Sequence, residues 1–415
     1  MTLRLFVLLC LALVVSSCEE KVSTLGAPYY RDTVQFNRTI RTDTGFMKMR
    51  PVSVPRIVLG GNTYSITLFS PLLIVGKVTQ GENIESWGVL QFPTLPDTTI
   101  AKVVGIRLLL KDQTYKYGDT TTSPNRLDLQ VYEYSPLAGA YLDSLTSLSK
   151  SALVSTPLGS FQGDFADVND SVLAFSIDTS IVKKDLRSAS LAFVVAPGAT
   201  MTTARGFGSM ESGDTNARPQ IEYSIKVDTG ILVTRLTALK DLHIAMDQSD
   251  PTPAGEFMLR GSTGWRVFDT LSLTRPGDTA QLTAFSTINS AELILSLDPA
   301  RSRRSTLSFD TAGPAIVQLL GTNDTGAALF ASGYHDASDP NIYHFQIRTL
   351  VEYWLRNPTK NFGFELRAGY NTRTFVAGDA FGVEDNTINR WTFYGQDATD
   401  PTKRPKFILS YSKLP

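Results

Sequence analysis

Apolar and polar residues alternate with a period of two along much of this chain, the pattern of strands with one buried face. The alternation is clearest at Leu127-Asp128-Leu129-Gln130-Val131-Tyr132-Glu133-Tyr134. Val104 to Leu110 predicts Ile106, Leu108 and Leu110 inside. Further strands are predicted within Asp32 to Arg41, Tyr64 to Val75, Val89 to Phe92, Leu173 to Ile177 and Leu191 to Val195. In the second half Ala291, Leu293 and Leu295 interleave with Glu292, Ile294 and Ser296. Phe345-Gln346-Ile347 echoes Phe175-Ser176-Ile177, and Phe362 to Leu366 echoes Leu191 to Val195. Between them Leu350 to Leu355 reads as a short helix with Leu350, Val351, Trp354 and Leu355 on one face and Pro358 as its stop.

One stretch occurs twice. Phe207-Gly208-Ser209-Met210-Glu211 precedes Arg218-Pro219-Gln220-Ile221-Glu222-Tyr223; Phe393-Tyr394-Gly395-Gln396-Asp397 precedes Arg404-Pro405-Lys406-Phe407-Ile408-Leu409 at the same offset. Proline suits the first residue of a strand and pushes the arginine before it into extended geometry. Each Arg-Pro pair therefore predicts a strand start. The spacing suggests Glu211 facing Arg218 and Asp397 facing Arg404; two solvated charges are the plainer alternative. An internal repeat of this length predicts an all-β chain of two tandem sandwich domains, residues 31–230 and 231–415. Asp228 to Leu236 reads as their short junction.

Composition then narrows the class. The 415 residues leave room for two domains, 42% of them are hydrophobic, and the net charge of −1 gives no basic field for nucleic acid. At the N-terminus Arg4 is followed by the apolar run Leu5 to Val15, too short to span a bilayer. Val15-Ser16-Ser17-Cys18 resembles the bacterial lipoprotein signal. The resemblance implies removal of residues 1–17, lipid on Cys18, a membrane anchor, and a tether over 18–30. An ordinary secretory signal with an incidental cysteine is the alternative. The chain's cysteines are Cys10 and Cys18, so after such processing no disulfide or thiolate metal site holds the fold. Glu19 and Glu20 resemble the surface-export signal of Bacteroidetes lipoproteins, which implies an outer-membrane lipoprotein displayed on the cell surface; a solvated spacer is the alternative.

The repeated stretch resembles the ending of the DNRLRE-type domain, a jelly-roll sandwich of secreted and cell-wall proteins. The helix with Trp354 followed by Asn361-Phe362-Gly363-Phe364 is similar to that family's upstream hallmark. The matches cover most of 60–225 and, more loosely, 255–413. Gly395 and Asp397 depart from the Ser and Glu of the pattern, and the first copy lacks the helix tryptophan. The resemblance implies a non-catalytic accessory module, some of whose relatives bind acidic polysaccharide such as alginate. It carries over no binding residue.

Direct chemistry is sparse. His243, His335 and His344 show no two-histidine metal spacing, and neither a nucleophile elbow nor a phosphate loop is present. No catalytic residue, resident metal or cofactor is therefore assigned. Asp164, Asp167, Asn169 and Asp170 form an acidic turn that reads either as a Ca²⁺ loop or as a solvated one. Trp87, Trp265, Tyr370, Trp391 and Tyr394 flank turns and are candidates for a sugar-stacking platform, with core packing as the alternative. Arg301, Arg303 and Arg304 read as a cationic patch for acidic polymer or as a solvated turn. The expected function is lipid-anchored binding of extracellular polysaccharide. The rival is an envelope assembly subunit that binds proteins through its sandwich edges.

Overall fold

The computed structural model describes residues 35–41, 56–59, 62–67 and most of 70–413. Residues 119–125, 135–155, 166–170, 182–189, 306–311, 319–329 and 371–386, and some shorter stretches, lie outside the description, as do the signal segment, Cys18 and the tether. The described chain is antiparallel β-structure, the all-β sandwich class that the alternation predicts.

The first strands are β1 (Gln35–Arg41), β2 (Arg56–Leu59), β3 (Asn62–Thr67), β4 (Leu72–Val78), β5 (Ile84–Pro93), β6 (Val103–Gly118), β7 (Arg126–Glu133) and β8 (Gly159–Asp164). Then come β9 (Val172–Ile177), β10 (Ser190–Pro197), β11 (Thr203–Gly208), β12 (Gln220–Val227), β13 (Gly230–Thr237) and β14 (Lys240–Asp247). The second half holds β15 (Glu256–Leu259), β16 (Val267–Asp269), β17 (Thr287–Ser296), β18 (Ala312–Gln318), β19 (Phe330–His335) and β20 (Ile342–Gln346). Helix α1 (Arg348–Arg356) precedes β21 (Phe364–Tyr370), β22 (Trp391–Tyr394) and β23 (Lys406–Lys413). One sheet runs β1-β23-β17-β20-β19-β18-β21-β16. A second runs β13-β12-β6-β11-β4-β5-β10-β7-β8, with β9 on β6 and with β14, β3 and β2 leading off β5; β15 and β22 form a pair.

The register makes the repeat visible. Blocks β13-β12-β6-β9 and β1-β23-β17-β20 are built alike. One row of the first reads Arg235–Glu222–Arg107–Ser176, and the matching row of the second reads Ile40–Ile408–Glu292–Gln346. The remaining pairings keep step, with β4–β11 answered by β15–β22 and β5–β10–β7–β8 by β16–β21–β18–β19. Sheet membership does not follow the expected boundary at 230/231. Strand β1 joins the sheet of the second half, while β13 and β14 join the sheet of the first. Asp228 to Leu236, expected as a junction, is the turn and body of β13: Gly230 supplies the left-handed φ of 149° that closes the hairpin onto β12. Tyr64 to Val75 likewise divides into β3 and β4.

Period-two alternation sets each core. Ile106, Leu108, Leu110, Phe175, Phe193, Phe207, Ile221 and Tyr223 fill the first; Leu293, Leu295, Phe345, Phe407, Leu409 and Tyr411 fill the second. Each such side chain contributes about 1.5–3 kcal/mol by leaving water. Strand β6 joins two arms of the first half's curled sheet: residues 106–111 pair with β9 and 112–118 with β11. Between them Thr114 takes a φ of 59°, and the register on β11 slips between Gly206 and Phe207. This bulge turns one long strand from one layer into the other. Helix α1 has no side-chain cap at its N-terminus, and Leu350, Val351, Trp354 and Leu355 hold it against the core. Trp354 stacks at 6.4 Å on Phe364.

Candidate functional site

Alternation that sends one set of side chains inward sends the other to the outer face of each block. On β12, β6 and β13 the outward row brings Glu222 between Arg107 and Arg235. Arg107 Nε donates to Glu222 Oε1 at 2.8 Å and Arg235 Nε to Oε2 at 2.8 Å. Burial alone would raise the Glu222 carboxyl, but the hydrogen bonds from Arg107 and Arg235 outweigh it and hold it below the ordinary carboxylate range. Beside this row lies a groove of about 370 Å³. Leu109, Val172 and Ala174 line it together with Arg107, Lys111, Arg218 and Arg235. Lys111 Nζ pairs with Asp214 Oδ2 at 3.1 Å. The Asp214 carboxyl is held down by the Asn216 amide and then by Lys111.

Arg218 enters the groove from the turn Thr215–Ala217, which Asp214 caps through the Asn216 amide. Among the described residues its side chain has no ion-pair partner, and its buried Nε has no hydrogen-bond acceptor. The face thus presents four cations, two of them tied to Glu222, one to Asp214 and one unspent.

The matching face of the second half has a different chemistry. Glu292, in the place of Arg107, accepts from Gln346 Nε2 at 2.8 Å and from the Tyr334 hydroxyl at 3.3 Å. His344 lies between two carboxylates, with Nδ1 3.0 Å from Glu292 Oε1 and Nε2 3.3 Å from Asp336 Oδ2. The exposed Tyr334 ring stacks on His344 at 5.4 Å. Ser338, through its hydroxyl and its amide, holds the Asp336 carboxyl down at about 2.

The expected motif ion pairs do not form. Glu211 hydrogen-bonds Asp241 instead of Arg218, and Arg404 Nε donates to the Ala398 carbonyl at 2.9 Å while Asp397 stays exposed. Asp241 is buried, accepts from the Met210 amide at 2.8 Å, and has its carboxyl pushed up to about 8 by burial and then by Glu211. Pro219 and Pro405 are buried at the heads of β12 and β23, as their strand-starting role requires.

Trp87, Trp265, Trp391 and Tyr394 do not line the groove. Trp87 is buried against Val89, Val194 and Ile244, and its Nε1 donates to Glu85 at 2.7 Å. Trp391 is buried edge-on to Tyr343 at 6.0 Å, with the Arg304 guanidinium 5.0 Å from its ring centre. Trp265 is half-buried, and its backbone pairs with that of Arg260. Tyr394 is half-buried in β22; burial raises its hydroxyl, and Asp298, Glu256 and Asp400 add to the effect. Tyr370 ends β21 opposite Ala312, and its side chain lies outside the described residues. Asp164 ends β8, while Asp167, Asn169 and Asp170 lie outside the description. Among the described residues no cluster of His, Cys, Asp and Glu could hold a metal ion. His243 is buried with Nε2 3.2 Å from Ser262 Oγ, and His335 is exposed.

The cationic patch proves to be a latch between the halves. Arg303 donates to the Gln80 and Gly118 carbonyls, at 2.8 and 3.2 Å, and covers the Tyr117 ring at 5.8 Å. Behind it the fully buried Arg260 binds Glu82 and Asp247, Tyr117 donates to Glu82 at 2.6 Å, and Arg390 approaches Glu82 at 3.4 Å. A cleft of about 470 Å³ opens over this network, and Arg301, Arg303, Arg390 and Glu82 line it. Its charges are spent on one another, so the cleft joins the halves and offers a ligand little.

Sequence reasoning missed Arg107, Lys111 and Arg235. Their only trace is alternation, which places each outward on its own strand; nothing local tells which strands are neighbours.

No family model and no curated protein matches the chain. Among solved structures it is similar to a chain titled BspA_C_WT, at 7% identity over 82% of this chain and 87% of that one, with a TM-score of 0.18. A likeness at that score carries no argument here. No helix among the described residues is long and apolar enough to cross a membrane.

Proposed function

We propose that this is a non-catalytic, lipid-anchored envelope protein whose first-half sheet face binds an anionic extracellular polysaccharide. Two tandem jelly-roll modules of the DNRLRE type would present that face beyond the outer membrane. The observation that carries the reading is Arg218. It lines a groove with Arg107, Lys111 and Arg235 yet holds no carboxylate among the described residues. A planar guanidinium with its donors unspent suits a sugar carboxylate, which it grips with two parallel hydrogen bonds. The floor of Leu109, Val172 and Ala174 offers apolar contact to the ring faces. The sequence resemblance to modules of acidic polysaccharide points the same way.

Affinity electrophoresis of a chain beginning at Glu19 tests this. Retardation is expected in gels containing alginate or pectate and not in gels containing neutral dextran. It should weaken with added salt, because an exposed ionic grip is screened, and it should fall several-fold in Arg218→Ala. Equal mobility in every gel overturns the reading.

A further inference from the structure

We infer that β13 is a self-association edge: two copies of the chain pair antiparallel along Gly230–Thr237 about a two-fold axis near Val233. β13 ends its sheet, with β12 on one side and no other described strand on the other. Its eight residues run in unbroken register with β12, so no bulge twists the open side away. It contains neither lysine nor proline, the residues with which proteins blunt such edges. Instead Ile231, Leu232 and Val233 stand 65%, 53% and 52% exposed, a run of apolar side chains flanking unpaired backbone groups.

Charge supports a second copy as the occupant. With Val233 on the axis, Ile231 faces Arg235, Leu232 faces Thr234 and Gly230 faces Leu236 of the other copy, so no like charges oppose. Arg235 shares the Glu222 carboxylate with Arg107, which offsets part of its charge. In the second half, the equivalent neighbour of β23 is β1, which arrives from the far end of the chain. One strand pair covers less than the roughly 800 Å² per partner of a stable interface, so the dimer is weak and concentration-dependent.

Sedimentation velocity at rising concentration tests this with a chain beginning at Glu19, which keeps every described residue. The mass should climb from one chain towards two. Val233→Lys and, separately, Ile231→Lys should hold it at one, with urea midpoints close to the parent because both sites are exposed. A one-chain mass at every concentration, or dimers that persist in both lysine variants, overturns the inference. Val233 does not line the groove that would hold alginate, so retardation in that gel should survive Val233→Lys.

Discussion

Arg260 donates to Glu82 across 178 residues of sequence, and both side chains are sealed from solvent. Burial opposes charge on this guanidinium, but Asp247, Tyr117 and Glu82 more than compensate and raise it above its ordinary value. Such a pair stabilises only while complete. Arg260→Met leaves Glu82 and Asp247 buried without this guanidinium and should cost about 3–5 kcal/mol. Urea unfolding monitored by tryptophan fluorescence measures it. The double change Arg260→Met with Glu82→Gln should recover part of the loss.

Glu222 restrains the two arginines beside it. Glu222→Gln removes the countercharge, so alginate should retard the variant more than the parent while stability falls by about 2 kcal/mol. The pH dependence follows from the depressed carboxyl. A folded value below the unfolded one contributes stability that is present above the ordinary carboxylate range and lost as pH drops through the folded value. Acid titration of the melting temperature should therefore show a step on its acid limb that is absent in Glu222→Gln.

Asp241 has the opposite sign. Its carboxyl titrates at about 8 in the fold, so between about pH 4 and pH 8 the folded chain keeps a proton that the unfolded chain has released. Its contribution is complete below pH 4 and disappears as pH climbs through 8. Asp241→Asn can still accept from the Met210 amide and hydrogen-bond Glu211 without that proton. Denaturant midpoints of the variant should vary less than the parent's across this window.

Gly208 explains part of the repeated stretch. A Cβ there would lie 2.0 Å from the Ala217 carbonyl oxygen, on the turn that delivers Arg218. Gly208→Ala should cost about 1–3 kcal/mol by forcing that turn away. It should also weaken alginate retardation more than any loss of folded protein accounts for. Tyr394 holds the matching place in the second copy, where Arg404 turns to a carbonyl rather than into a groove.

These particulars mark what was legible in the chain. β12 and β23 were, because Arg-Pro fixes their starts and Ile221, Tyr223, Phe407 and Leu409 alternate inward. Helix α1 was, because its apolar stripe has period 3.6. β13 was not: Ile231-Leu232-Val233 is exposed on both faces and follows Asp228, Thr229 and Gly230, so it reads as a linker. The groove was not, because Arg107, Lys111, Arg218 and Arg235 converge through a register that sequence does not encode locally. Trp87 and Trp391 flank turns in sequence, yet large rings near strand ends bury themselves where they can.

The pairing of β1 with β23 sets the order in which this protein can be completed. Strand β1 must wait for its described partner until β23 has left the ribosome. The second half therefore cannot close before β23 is made, whereas β4 to β14 have their described partners within residues 62–247 and can settle early. A nascent chain stalled before β23 would carry a finished front and an unlaced back.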